Sequence, residues 1–274
     1  CGPDLRDGAG AAEMQIIGGI KLDTTLFQDK HAAYQQLIAR VRASYPAYHE
    51  ATEYEKGQLV WCNDCQQEIN LWSYWQGSLE AKIMLVGQDW GCPFDKVFLP
   101  TIGQIQNANS GKAYSYISDT PSQTDQNLIK LFSEALGKDI TIPCDDLFFT
   151  NFVLGYRTHG TSGNYQKEWA EHDSVFFKEL VEIIEPKVIL CLGKATFRAV
   201  LASIAPDWKP RIGGYNKYIE SSRNPISVAT SSGMNIAVFA LAHCGVMGTL
   251  NRNGKKNLGL DQQLADWKRI SLYL

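Results

Sequence analysis

Four short apolar runs set the terms for this chain: Lys82–Val86 (KIMLV), Asp146–Val153 (DLFFTNFV), Lys187–Leu192 (KVILCL) and Asn235–Ala242 (NIAVFALA). Each is strand-length, rich in β-branched or aromatic side chains, and apolar along most of its length. The segments between them show helical spacing instead. Leu37, Ile38 and Val41 mark a helix from Phe27 to about Tyr45, with Pro46 after its end. Asp119-Thr120-Pro121 or Ser122 starts another, with Leu128, Ile129, Leu131 and Phe132 on its inner face. Trp169–Ile184 is a third, stopped by Pro186. Gly193-Lys194 turns into a fourth, Ala195 to about Ala205, and the last runs from about Asp261 to Tyr273. Strands with no polar face, alternating with helices, predict a parallel sheet covered on both sides. The expectation is an α/β fold: a three-layer α/β/α sandwich around a mostly parallel four-stranded sheet. There is no internal repeat and no second core, so residues 25–274 read as one domain behind a loosely ordered extension, 1–24. The strands are too few for a TIM barrel.

Composition narrows the function classes. The 274 residues carry a formal charge of −3, with 45% hydrophobic and 20% charged residues. There is no global basic field, so any nucleic-acid contact must use a local patch. No apolar run approaches the roughly 20 residues of a membrane helix, and the opening CGPDLRDGAGAAEM is polar, unlike a secretion signal. Seven irregularly spaced cysteines, with Cys191 inside a strand run, fit a reducing cytoplasm better than a disulfide framework.

In a parallel sheet the strand ends share one edge, where ligands bind. Three ends carry chemistry. The first run stops at Gly87-Gln88-Asp89-Trp90-Gly91, which leaves a glycine-flanked carboxylate at a rigid position. The second presents Thr150 and Asn151, and the fourth His243. An acid, an amide and an imidazole can thus meet at one pocket. Singly, each has a plainer reading: a solvated exit Asp, a turn Asn, a surface His. Their conjunction is what points to a site.

These segments resemble the uracil-DNA glycosylase superfamily, in order and at similar separations. GQDWG (87–91) resembles the family's first motif, and its Gly-Gln-Asp matches the branch in which Asp orients the attacking water. Asn151 in FFTNFV is similar to the uracil-reading Asn. KVILCLGKATFRAVL (187–201) is similar to the strand-Gly-Lys-helix segment. AHCGVMGTLNR (242–252) resembles the second motif, a His followed by a small-residue loop that enters the duplex. The likeness spans roughly Cys62 to Arg252. It departs from the family where Trp90-Gly91 replaces Pro-Tyr-His or Ala-Pro-Gly, and where Cys244-Gly245 replaces Pro-Ser.

The resemblance implies a hydrolase that flips a uracil, or a related deaminated base, out of DNA and cleaves its N-glycosidic bond in base-excision repair. Asp89, His243 and Gln88 would be catalytic. Asn151, Trp90, Phe98 and Gly87 would hold the base, with Phe94, Tyr114 and Tyr116 as further stacking candidates. Gly248, Leu250, Arg252, Met247 and Lys194 would face DNA, with Lys255 and Lys256 extending a basic patch. The partner would be damaged DNA and the enzyme a monomer. No cofactor is expected. Cys62 and Cys65 occupy the position of the first two iron–sulphur ligands of thermophile-type relatives, but Leu154–Asp173 contains no cysteine to supply the rest. Zinc at that pair would need partners such as Cys92, Cys144, His159 or His172. Three alternatives stay open: a non-catalytic nucleic-acid or nucleobase binder, a small-molecule nucleoside hydrolase, and a redox or metal protein built on Cys62 and Cys65.

Overall fold

The computed structural model describes residues 24–49, 51–63, 69, 78–92, 123–140, 147–160, 166–208, 212–230, 233–254 and 259–274. The N-terminal extension to residue 23, Cys65, Phe94, Phe98, Tyr114, Tyr116, Cys144, Lys255 and Lys256 lie outside the described residues.

The elements follow in order. Helix α1 (Thr24–Ser44) precedes two short strands, β1 (Leu59–Val60) and β2 (Ile83–Gly87). Then come α2 (Gln123–Leu136), β3 (Leu147–Asn151), β4 (Tyr156–Arg157), α3 (Lys167–Ile184), β5 (Val188–Leu192) and α4 (Lys194–Ile204). The last third holds α5 (Tyr215–Glu220), β6 (Ile226–Ala229), β7 (Asn235–Leu241), α6 (Val246–Asn253), α7 (Asp261–Lys268) and a final 3₁₀ turn, Arg269–Tyr273.

Five strands form the central sheet in the order β3-β2-β5-β7-β6; β1 and β4 make a separate antiparallel pair. The four strands read from the sequence are parallel. Alternate residues along them enter two different cores. Met84, Val86, Ile189, Cys191, Val238 and Ala240 pack with α1, α3 and α4. Ile83, Leu85, Val188, Leu190, Ala237 and Phe239 pack with Leu128, Leu131 and Phe132 of α2 and Trp267 of α7. Every β2, β3 and β5 residue is buried, so these runs have no polar period to show. Helices on both faces make the fold a three-layer α/β/α sandwich.

The sheet has one strand more than the four expected. β6 pairs antiparallel with β7 at the edge, and three of its four residues are not fully buried. Its short ISVA segment, just after Pro225, carries too little apolar pattern to stand out from a loop. Asn224 locks it in place: its side chain bonds both the N–H and the C=O of Ala240, at 2.8 and 3.0 Å. Helix α3 ends as its sequence suggests: Glu185 turns left-handed at φ 52°, ahead of Pro186, with its N–H on the Val181 carbonyl.

One buried polar knot ties α1 and α3 to the chain leaving β3. Asp173 of α3 is 0% exposed. Its carboxylate accepts from the Tyr45 hydroxyl and from the Leu154 N–H at 2.8 Å, and its other oxygen lies 2.8 Å from His172 Nδ1. Burial, and then the neighbouring Asp173 charge, push the Tyr45 phenol far above the ordinary tyrosine range, so it is a fixed donor. The hydrogen bond to Asp173 raises the His172 pKa, with a smaller contribution from the Ser44 carbonyl, against partial burial. Asp173→Ala should therefore cost about 2–4 kcal/mol in urea unfolding, because the Leu154 and Tyr45 donors lose their acceptor. His172 adds a pH signature. Its folded pKa is raised, so its contribution is full below about pH 6.5 and is lost as pH rises through the folded value. The gap in urea midpoint between wild type and His172→Gln should shrink from pH 5.5 toward 8.5, in that direction only.

Candidate active site at the sheet edge

Strand register aligns the sequence-predicted residues. Val86 pairs with Cys191, which pairs with Ala240. Gly87, Leu192 and Leu241 are therefore level across the sheet, and Asn151 pairs directly with Gly87. Asp89 and His243 both stand two residues past that level. They leave strands separated by β5 alone, so their backbones exit about 10 Å apart.

Asn151 sits against the β2 exit. A Cβ on Gly87 would collide with Asn151 Oδ1, so glycine is required for this close approach. Asn151 is 4% exposed. Its amide makes no hydrogen bond among the described residues, and its polar atoms are not sealed from solvent. The turn is then pinned: Phe152 and Val153 N–H groups donate to the Gly87 and Gln88 carbonyls at 3.0 and 3.1 Å.

Asp89 is held from three directions. Oδ2 accepts from Arg157 Nη2 at 2.6 Å and Gln88 Nε2 at 2.8 Å; Oδ1 accepts from the Gly91 N–H at 2.9 Å. The Asp89 and Arg157 side chains are each only 6% exposed. The Arg157 guanidinium also lies over the Trp169 ring, 5.0 Å from its centroid. Arg157 escaped the sequence reading. Its strand, β4, has two residues and no period, and the only signal was a cation six positions after Asn151.

Trp90 is half-buried and packs on Tyr156 with centroids 5.2 Å apart. Its Nε1 is buried with no hydrogen-bond partner among the described residues. Its ring also packs against both neighbouring apolar clusters.

His243 is set by its own loop. The Gly245 N–H donates to Nδ1 at 2.9 Å. That bond makes Nδ1 the acceptor and leaves the proton of the neutral ring on Nε2. Desolvation by the surrounding protein lowers the imidazole pKa, although the residue as a whole is exposed. Asn127 of α2 donates to the Cys244 carbonyl at 2.8 Å, and Gln263 of α7 to the His243 carbonyl at 3.2 Å. Burial pushes the Cys244 thiol up, so it is no thiolate.

The residues after His243 are helical rather than a loop: α6 begins at Val246 with Gly245 before it. A Cβ at Gly248 would collide with the His243 carbonyl oxygen, so this glycine lets α6 start directly against the histidine. Val246 and Met247 remain exposed, Met247 by 69%. Leu250 is half-buried. Lys194 opens α4 on the same edge, half-buried and with no ion pair among the described residues.

Arg252 departs from expectation. Rather than facing outward as a phosphate contact, it is 4% exposed. Nε and Nη2 fork onto Asp266 at 2.7 and 2.8 Å, and Nη1 reaches Glu220 at 2.8 Å and Gln262 at 3.0 Å. It fastens α6 to α5 and α7. The helical turn from 246, unseen in the glycine-broken sequence, rotates it inward.

The cysteines divide. Cys92, Cys191 and Cys244 form no disulfide, but Cys62 is disulfide-bonded, which departs from the expected set of reduced thiols. A disulfide sulfur offers no thiolate to iron or zinc. Cys92 donates to the Thr158 carbonyl, His159 sits on Thr158 and His172 on Asp173. Among the described residues no group of three or more His, Cys, Asp or Glu suits a metal. The disulfide at Cys62 does not fit an iron–sulphur ligand, and the other described cysteines make up no cluster. Nor is any helix among the described residues long and apolar enough to cross a membrane.

No family model and no curated protein matches the chain. What is established is therefore a class: an α/β sandwich with an acid, an amide and an imidazole on the carboxyl edge of its sheet.

Arg252→Ala should lower stability by about 3 kcal/mol or more, because it strands the Asp266 carboxylate. A surface phosphate contact would weaken DNA binding and leave the urea midpoint unchanged.

Proposed function

We propose that the protein is a glycosylase that hydrolyses the N-glycosidic bond of a uracil, or a related deaminated base, extruded from DNA. The observation that carries the reading is the order along one sheet edge: the Asn151 amide at the end of β3, the fixed Asp89 carboxylate just past β2 beside it, and the Nε2–H tautomer of His243 past β7, with β5 between. An amide that reaches solvent and makes no hydrogen bond among the described residues has its donors and its acceptor available to a base. Its paired donor and acceptor suit the edge of a pyrimidine.

The chemistry follows from charge. As the C1′–N1 bond breaks, its electron pair leaves with the base, and positive charge builds on the sugar. Asp89 stabilises that charge and orients the water whose oxygen bonds C1′. Negative charge grows on the uracil O2, where the His243 Nε2–H donates. Such a donor is worth roughly 3–4 kcal/mol. The base departs as an anion and the water proton passes to solvent. Met247, exposed at the first turn of α6, would fill the vacated stack. Lys194 supplies positive charge on the same edge.

A second reading has one observation in its favour. Asp89 already accepts three hydrogen bonds, which suits a structural carboxylate in a non-catalytic base binder. One experiment separates the two. Base release is measured on single- and double-stranded oligonucleotides carrying uracil, hypoxanthine, xanthine or a thymine mismatch. Wild type should release uracil, and Asp89→Asn and His243→Ala should each lose about 100-fold or more in kcat. Asn151→Ala should act mainly by weakening selection for the base. The His243 pKa is lowered, so its neutral form persists below the usual histidine range, and the acid limb assigned to this group should fall below about pH 6.5. No release by wild type on any substrate overturns the reading.

A further inference from the structure

We infer that Arg157 is the positioning residue that aims the Asp89 carboxylate, and that catalysis depends on this buried pair; the inference rests on the glycosylase reading. The sheet alone does not fix Asp89, which lies two residues past the end of β2 in a glycine-flanked turn. Its rotamer is set by what it touches.

The strongest contact is Arg157 Nη2 on Oδ2 at 2.6 Å, with both side chains 6% exposed. Arg157 is itself held on several sides. Its N–H donates to the Gly91 carbonyl at 2.8 Å, so the backbone of β4 grips the same turn that carries Asp89. β4 is registered against β1 through Leu59 and Arg157. The Trp169 ring covers the guanidinium. Charge, backbone and ring thus converge on one Nη2–Oδ2 contact.

The consequence is directional. An ionised carboxylate has about four acceptor positions. Arg157 and Gln88 take two on Oδ2, and Gly91 takes one on Oδ1. Among the described residues a single position remains, on Oδ1. A water held there has one place to sit, and the carboxylate cannot rotate without breaking the ion pair. Arg157 touches no reacting atom. It restricts Asp89 to one orientation, the kind of supporting contact whose loss displaces a catalytic group by about 1 Å and costs roughly 100-fold in rate.

Arg157→Met, Arg157→Lys and Arg157→Ala are compared with wild type on a uracil-containing oligonucleotide. Far-UV circular dichroism and urea midpoints identify variants that fail to fold. In folded variants, kcat for Arg157→Met should fall about 30- to 100-fold with KM nearly unchanged. Arg157→Lys should recover part of the loss, and methylguanidinium should restore activity to Arg157→Ala. Binding gives a second readout, using oligonucleotides with a cationic pyrrolidine or a neutral tetrahydrofuran in place of the sugar. Wild type should prefer the cationic analogue, and Arg157→Met should lose that preference. An active wild type with Arg157→Met within about threefold of its kcat overturns the inference and spares the glycosylase reading. An inactive wild type overturns the glycosylase reading. In that case equal preference for the two analogues by wild type and Arg157→Met overturns the positioning role as well. If Arg157→Met does not fold, Arg157→Lys decides: unchanged kcat and unchanged analogue preference overturn the inference.

Discussion

Parallel register between strands that are buried on both faces is the constraint on which the rest depends. Because β2, β3, β5 and β7 run the same way, their carboxyl ends fall on one edge. Because alternate residues feed two separate cores, a slip of one position would exchange those cores wholesale. Met84 and Val86 would turn toward α2, and Ile83 and Leu85 toward α1 and α3. This fixes Asn151 opposite Gly87 and sets Asp89 and His243 level with each other without any contact between them.

What the sequence made legible tracks this constraint. Mostly apolar runs announced the four parallel strands, because two-sided burial leaves little place for polar side chains; Thr150 in β3 is accommodated by donating to the Ile69 carbonyl. Glycine and strand-end chemistry at 87–91 announced the edge. Features specified by geometry rather than period stayed hidden. β6 has half-exposed residues at a sheet margin, and its place depends on Asn224 bonding the β7 backbone. Helix α6 is glycine-broken in sequence, yet Gly248 permits it by removing the side chain that would strike the His243 carbonyl. Arg157 sits on a two-residue strand whose register comes from β1, more than ninety positions earlier.

Two cations exchanged roles between sequence and structure. Arg252, near a run of lysines after a histidine loop, read as a phosphate contact; its three carboxyl and amide partners make it a clasp between helices. Arg157 had no reading and proves to be the residue nearest the acid. Charge in a sequence says little until the opposite charge is located. A cation enclosed by acceptors is fixed in place, whereas Lys194, half-buried, has no ion pair among the described residues.

The Tyr45–Asp173–Leu154 knot carries an implication for the boundaries of the folding unit. Leu154 is three residues beyond Asn151, and its amide is anchored by a carboxylate from α3 that is itself braced by the last turn region of α1. The first helix is thus wired into the base of the sheet edge that carries Asn151, although it contributes no strand to it. Anyone trimming this protein to a minimal module, or splicing its sheet into another scaffold, would have to carry α1 along. Discarding it would loosen the floor beneath the amide while leaving every strand intact.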